Sequence, residues 1–323
     1  TSWSFSPPLP NGISKHPTSS LLVASPPLQI TPTTVYTVTA TNSGGSGSFT
    51  LNITINDLPP NSLSYSTTSF IETIGSPMSA VTPTVGGGDV VTWEIHPTLP
   101  SGLSIDSSTG EISGIPSHLS TLTTYTITAT NAGGSGSTTI TIQVNDIPPY
   151  LLSYNDNPFT LTKGTAMTAA SPTISGGQID TWSITPSLPT GLLIDSSTGE
   201  ISGTPTVISE LTTYTITAIN TGGSLDVTID ITVNDIVPSS ITYSSSSYVG
   251  TKDTSMTTGA PNVGGGTVVT WVVSPSLPNG LSIDSSTGEI SGTPTVLSTT
   301  PVTYTITATN SGGSASTTID ITI

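Results

Sequence analysis

Three times in this sequence an aspartate is followed, five residues later, by a glutamate: Asp106 and Glu111, Asp195 and Glu200, Asp284 and Glu289. Two carboxylates at that spacing could hold a calcium ion, or act as a general acid and a general base. The residues between them, SSTG in every copy, suggest a plainer chemistry. The aspartate can accept hydrogen bonds from the N–H groups of its own turn, while the glycine takes a left-handed conformation. Repetition favours this second reading, because a catalytic pair is rarely copied into every unit of an array. His16, His96 and His118 fall at unrelated phases of the repeat, so their spacing offers no shared metal site. No Ser-His-Asp arrangement or G-x-S-x-G elbow is present, and the GGSGS and GGG runs open no helix that could cradle phosphate. Lys163 and Lys252 could form isopeptide crosslinks to Asn or Asp, but Ile74 stands at that position in the preceding copy.

Charge narrows the field further. The chain has three lysines, no arginine and nineteen acidic residues, for a formal charge of −16. Phosphate recognition needs clustered cations, so no nucleic acid is expected as a partner, and the same lack argues against adhesion to anionic headgroups. Without cysteine there are no disulfides, thiolate chemistry or Cys-ligated zinc. No apolar run is long enough to insert into a membrane. The sequence has no initiator methionine or signal peptide at its start, and reads as a processed product or as a window on something longer.

Stepping out from the acidic turn, the whole segment repeats. Leu99–Pro116 (LPSGLSIDSSTGEISGIP) returns as Leu188–Pro205 and Leu277–Pro294. Each copy follows a tryptophan, and 89 residues separate Trp93 from Trp182 and Trp182 from Trp271. A period that long is a tandem array of whole β modules rather than a solenoid. The boundaries fall at 1–57, 58–146, 147–235 and 236–323. The first is a partial, divergent module that lacks its opening strands, and its residues 12–34 replace the acidic hairpin.

Within 58–146, Leu63–Tyr65 and Ser69–Ile74 read as opening strands, and Thr82–Asp89 as a Pro/Gly stretch. Val90–His96 reads as a strand with Val91, Trp93 and Ile95 on one face. Leu103–Ile105 and Glu111–Ser113 flank the acidic turn. Tyr125, Ile127 and Ala129 alternate with threonines, reverse at Asn131–Gly136, and are answered by Ile140, Ile142 and Val144. About seven short strands in such a length indicate an all-β, immunoglobulin-like β-sandwich. The tryptophans and Tyr125, Tyr214 and Tyr304 could be sugar-stacking platforms, but their shared phase with Ile and Ala favours core packing. Tyr65, Tyr154 and Tyr243 are expected at the surface, packing between modules. The junctions are short and proline-bearing, which would make them stiff and string the modules into an extended rod about 40 Å apart.

The motifs LPxGLSIDSSTGEISGTPT, TTYTITATNxGGS and TTITIxVNDxPP resemble the putative-Ig repeat family, a cadherin-like group of large bacterial and archaeal surface proteins. The resemblance covers nearly all of 58–323 and is thinner over 1–57. It implies an exported, multi-module surface or filament protein without enzymatic activity. It also draws attention to Asp57, Asp146 and Asp235, which stand where cadherins place linker calcium ligands. The triplets ending in Asn131, Asn220 and Asn310 have asparagine where cadherins have aspartate, and no acidic cluster opens each module. Calcium at the junctions and Asp/Asn turn capping before proline both stay open, with capping favoured.

The expectation is therefore a non-enzymatic extracellular structural protein, a segment or subunit of a cell-surface stalk, fibre or filament. Its incomplete first module suggests completion by strand exchange between neighbours. The alternative is an adhesin or carbohydrate-binding array acting through loops at the sandwich ends, with 13–34 as the specialised segment. Expected partners are neighbouring copies or further modules of the same chain, and surface glycans or other cells. No cofactor is expected beyond the calcium just weighed.

Overall fold

Strand formation follows the alternation of branched apolar residues with threonine, which suits a pleated, half-buried surface. The computed structural model describes residues 1–323, and every regular element in it is a β-strand. Residues 1–146 and 147–323 form two compact units.

In the first unit, residues 58–146 build two facing layers. One sheet runs in the order Thr92–His96, Ser120–Asn131, Gly134–Asn145 and Ser69–Thr73. Its first two pairings are antiparallel and the last is parallel. The opposite layer consists of Leu103–Ile105, Ile112–Gly114 and Met78–Val81, beside the pair Asn61–Tyr65 and Pro83–Gly86. Register sets Tyr125 opposite Ile140, so the apolar residues of both long strands point inward together. Ile112, Ile127, Ala129 and Ile142 are fully buried around Trp93 and Tyr125.

Three details differ from the reading of the sequence. The Pro/Gly stretch contains a strand, Pro83–Gly86, which pairs with Asn61–Tyr65; proline is tolerated there as the first residue of an edge strand. Val91 does not share the inner face with Trp93: it is 70% exposed, and Val90 packs on the core instead, because the regular strand begins only at Thr92. Tyr65, expected at the surface, is buried in its own module, as is Tyr154 in the next.

Residues 1–57 form a three-stranded antiparallel sheet, Ser2–Ser6, Thr31–Asn42 and Gly45–Ile55. The divergent segment nevertheless keeps a hairpin: Ile13–Lys15 pairs with Leu22–Ala24 in the place that Leu103–Ile105 and Ile112–Gly114 occupy in the following module.

In the second unit the same layout occurs twice. The main sheets are Phe159–Thr162, Gly223–Asn234, Ser209–Asn220 and Thr181–Thr185, and then Ser247–Val249, Gly313–Thr322, Val302–Asn310 and Thr270–Ser274. Each encloses its own core, centred on Trp182 and on Trp271.

Candidate functional site

The acidic turn is the most conspicuous polar feature of each module. Asp106 Oδ1 accepts hydrogen bonds from the backbone N–H groups of Ser108 (2.7 Å) and Thr109 (2.8 Å). The turn is closed by Gly110 N donating to Asp106 O at 2.9 Å, and Asp106 N donates to Glu111 O at 2.8 Å. Asp195 and Asp284 make the same pairs of bonds in their turns. The bonds from Ser108 and then Thr109 favour the ionised form and hold the Asp106 carboxyl below its ordinary value; the other two aspartates are lowered in the same way. One oxygen of each carboxylate is thus engaged by the backbone of its own turn.

The glycine that ends the turn explains why the motif is so constant. Gly110 has φ +73°, and a Cβ there would lie 2.6 Å from the Trp93 ring, so only glycine lets the turn rest on the indole face. Gly199 meets Trp182 and Gly288 meets Trp271 in the same manner. The carbonyl of Gly110 accepts a 2.6 Å hydrogen bond from the Tyr65 hydroxyl; Tyr154 and Tyr243 reach Gly199 and Gly288 at the same distance. Burial pushes the Tyr65 hydroxyl up to about 12, and raises Tyr154 and Tyr243 as well. These tyrosines were expected between modules; each instead fastens its own acidic turn to its own core. Two of the glutamates bond elsewhere: Glu200 Oε2 accepts from the Ser171 hydroxyl at 3.0 Å and Glu289 from that of Thr257.

At the junctions, Asp235 is buried, and its carboxylate accepts from Ile236 N (2.9 Å) and Thr267 N (3.0 Å). Asp57 Oδ1 accepts from Leu58 N at 2.8 Å. Asp146 takes the corresponding place at the end of the first unit. The asparagines of the repeated triplet face the incoming chain. Asn131 Nδ2 donates to Leu58 O (2.7 Å) and Asp89 O (3.2 Å), while its Oδ1 accepts from Gly133 N (2.8 Å). Asn220 and Asn310 grip Ile147 O and Ile236 O at 2.8 and 2.7 Å. A Cβ on Gly133 would lie 1.9 Å from Asp57 O, so the linker passes directly over that glycine.

No three of the histidines, aspartates and glutamates come together in a group that could hold a metal ion. The donor sets resolved around Asp57 and Asp235 are a single carboxylate among N–H donors, which does not fit a calcium ion taking six to eight oxygens. His118 and His16 bond only near neighbours, Ser117 and Thr18. In the divergent first module Lys15 lies 5.9 Å over the Trp3 ring, beside a cavity of about 320 Å³ lined by Trp3, Phe5, Leu22, Phe49 and Leu51.

The model of the family described as "Putative Ig domain" matches residues 54–145, 148–234 and 235–323. The chain belongs to this family. Its three matched copies coincide with the three modules that carry the Tyr–Gly–Trp fastening. Among curated proteins it is similar to "Serine-rich adhesin for platelets" of Staphylococcus aureus strain MSSA476, at 34% identity over 154 residues, or 47% of this chain and 6% of that protein. The same adhesin of strain MRSA252 is 35% identical over 127 residues, 39% of this chain and 9% of that one. The chain thus spans under a tenth of the length of these relatives. Among solved structures, the I-band fragment I67-I69 from titin aligns with a TM-score of 0.41 and 15% identity, covering 83% of this chain and 97% of that one. Sidekick-1 immunoglobulin domains 1–5 align with a TM-score of 0.36 and 14% identity, covering 99% of this chain and 73% of that one.

Proposed function

We propose that these modules are a non-enzymatic segment of an extracellular stalk or fibre, presented at a cell surface. One observation carries the reading: the polar side chains of Asp106 and Asn131, which recur in every module, are hydrogen-bonded to the backbone of that same module. A repeated set of residues bonded to its own backbone in this way builds copies of a scaffold. In finer form, a neighbouring copy lays a strand along Gly45–Ile55, the edge that a parallel strand covers in the other modules. The alternative is an adhesin acting through loops at the sandwich ends. It is favoured by the similarity to an adhesin named for platelets, and its best candidate segment is the divergent stretch 13–34.

The test is surface labelling of native cells with an antibody to the chain, together with electron microscopy and the mass of the native polypeptide. Labelled fibres built from a polypeptide of about the 32.7 kDa of this chain support strand exchange. Labelled fibres of much larger polypeptides support a continuous stalk. Label confined to the cell interior sinks both. Binding to platelets or to arrayed glycans that disappears when 16–21 is replaced by the SSTG turn puts the adhesin reading first.

A further inference from the structure

The chain holds three sulfur atoms and no cysteine: Met78, Met167 and Met256, one in each of the modules 58–146, 147–235 and 236–323. They stand 89 residues apart, at a position that neither the acidic turn nor the junction uses. In every copy this methionine meets the glycine that ends the acidic hairpin. Met78 pairs with Gly114 and Met256 with Gly292, and Met167 N donates to Gly203 O at 2.9 Å. A Cβ on Gly250, just beyond the strand Ser247–Val249, would lie 2.6 Å from Met256 Sδ and 2.7 Å from Ile323 Cδ1. The sulfur therefore sits where the first and last strands of the module meet the hairpin layer, an irregular gap of the kind a thioether fills well.

The three sites differ in access. Met78 opens the regular strand Met78–Val81 and is buried. Met256 opens the shorter strand Met256–Thr257 and is partly buried. Around Met167 no strand forms: Ala170 makes a single bridge to Ile201, in the place where Val81 pairs with Ile112. Met167 is partly buried and lines a surface cavity of about 210 Å³ together with Phe159, Leu161, Asp156 and Thr168. A water molecule needs only about 10–15 Å³ of such space, so hydrogen peroxide enters with room to spare.

We propose that Met167 is a redox modification site, converted to the sulfoxide by peroxides ahead of Met256, with Met78 the protected copy. A lone pair on the thioether sulfur attacks one oxygen of hydrogen peroxide. The S–O bond forms as the O–O bond breaks, sulfur gives up an electron pair, and the other oxygen leaves as water after proton transfer. The product is a polar, chiral group among apolar neighbours, and a methionine sulfoxide reductase reverses it. Hydrating its oxygen requires the side chain to leave Phe159 and Leu161, which loosens the hold between the opening strand and the hairpin layer of 147–235. None of this depends on the stalk reading, because the reaction is a property of the folded chain.

The test is a hydrogen peroxide time course on the full chain, with each methionine followed by peptide mass and the fold by thermal melts. The expected result is a one-oxygen gain at Met167 several-fold faster than at Met78 and faster than at Met256. A melting transition should fall in step with it and recover on treatment with the reductase. Met167→Leu, a swap of nearly conserved volume, should melt as the parent chain does and lose the part of the shift that tracks Met167. Oxidation of Met78 or Met256 as fast as Met167 overturns the proposal. So does Met167 sulfoxide that moves no transition, or an undiminished shift in Met167→Leu. The peptide masses of the parent chain decide the order of oxidation even if the variant fails to fold.

Discussion

The first module and the one that follows it share a closing strand of nearly the same pattern, and that strand has two different fates. In Gly134–Asn145 the inward residues Ile140, Ile142 and Val144 are at most 2% exposed. Their counterparts in Gly45–Ile55 are Leu51, Ile53 and Ile55, of which only Ile55 is buried, while Phe49 is 55% exposed. The difference lies across the sheet. The layer of Leu103–Ile105, Ile112–Gly114 and Met78–Val81, with the pair Asn61–Tyr65 and Pro83–Gly86, faces the first set, whereas of that layer residues 1–57 contain only the hairpin Ile13–Lys15 and Leu22–Ala24. A two-residue period marks which face of a strand is apolar; the opposing layer determines whether that face is dry.

The comparison can be broken most directly with matched substitutions. Ile142→Ala should destabilise its module by about 2–5 kcal/mol, whereas Ile53→Ala, next to an open face, should cost well under half of that. Denaturant titration followed by the nearby tryptophan, Trp93 or Trp3, measures both, and equal costs would mean that the first module is as well covered as the second. Next in size is Gly199→Ala, expected to cost about 1–3 kcal/mol for the left-handed backbone alone, with an added penalty from displacing Trp182. It sharpens the comparison because residues 1–57 have no turn of this kind to lose. Tyr65→Phe should cost about 1–3 kcal/mol by orphaning the Gly110 carbonyl.

Titration gives a smaller effect with a definite sign. The Tyr65 hydroxyl is raised to about 12 in the fold, above the value near 10 of an unfolded tyrosine. Its contribution is fully present below pH ~10 and is lost as pH rises toward 12. Asp106 is lowered, so its contribution is present above the ordinary aspartate range and is lost as pH falls below it. Asp106→Asn should therefore flatten the acid limb of stability for 58–146 and leave the alkaline limb in place, as read by thermal melts across pH. The smallest expected effect is none: a calcium chelator should leave every melting transition where it was. An upward shift on adding calcium would restore the junction aspartates as ligands.

Much of this architecture was legible in the sequence because alternation and turn chemistry are local. Tyr125, Ile127 and Ala129 announce their face, and D-S-S-T-G announces its Asx turn. What escaped was set by partners far along the chain. Tyr65 finds Gly110 forty-five residues away, and nothing beside Tyr65 tells a core tyrosine from a surface one. A signal was available in retrospect, since the same separation recurs for Tyr154 with Gly199 and Tyr243 with Gly288. The hairpin of 13–24 was hidden for a different reason. Its turn sequence is replaced outright, and its pairing survives through alternation in only three residues on each side.

The grip of Asn131 on Leu58 spans 73 residues, that of Asn220 on Ile147 again 73, and that of Asn310 on Ile236 74. The fastening therefore closes inside one period of the repeat: a linker is secured by the module it leads into. For a gene, this makes one period, linker included, a unit of unequal recombination. A copy gained or lost in register brings its own anchorage with it, so lineages can drift in copy number without each new boundary having to evolve a fit.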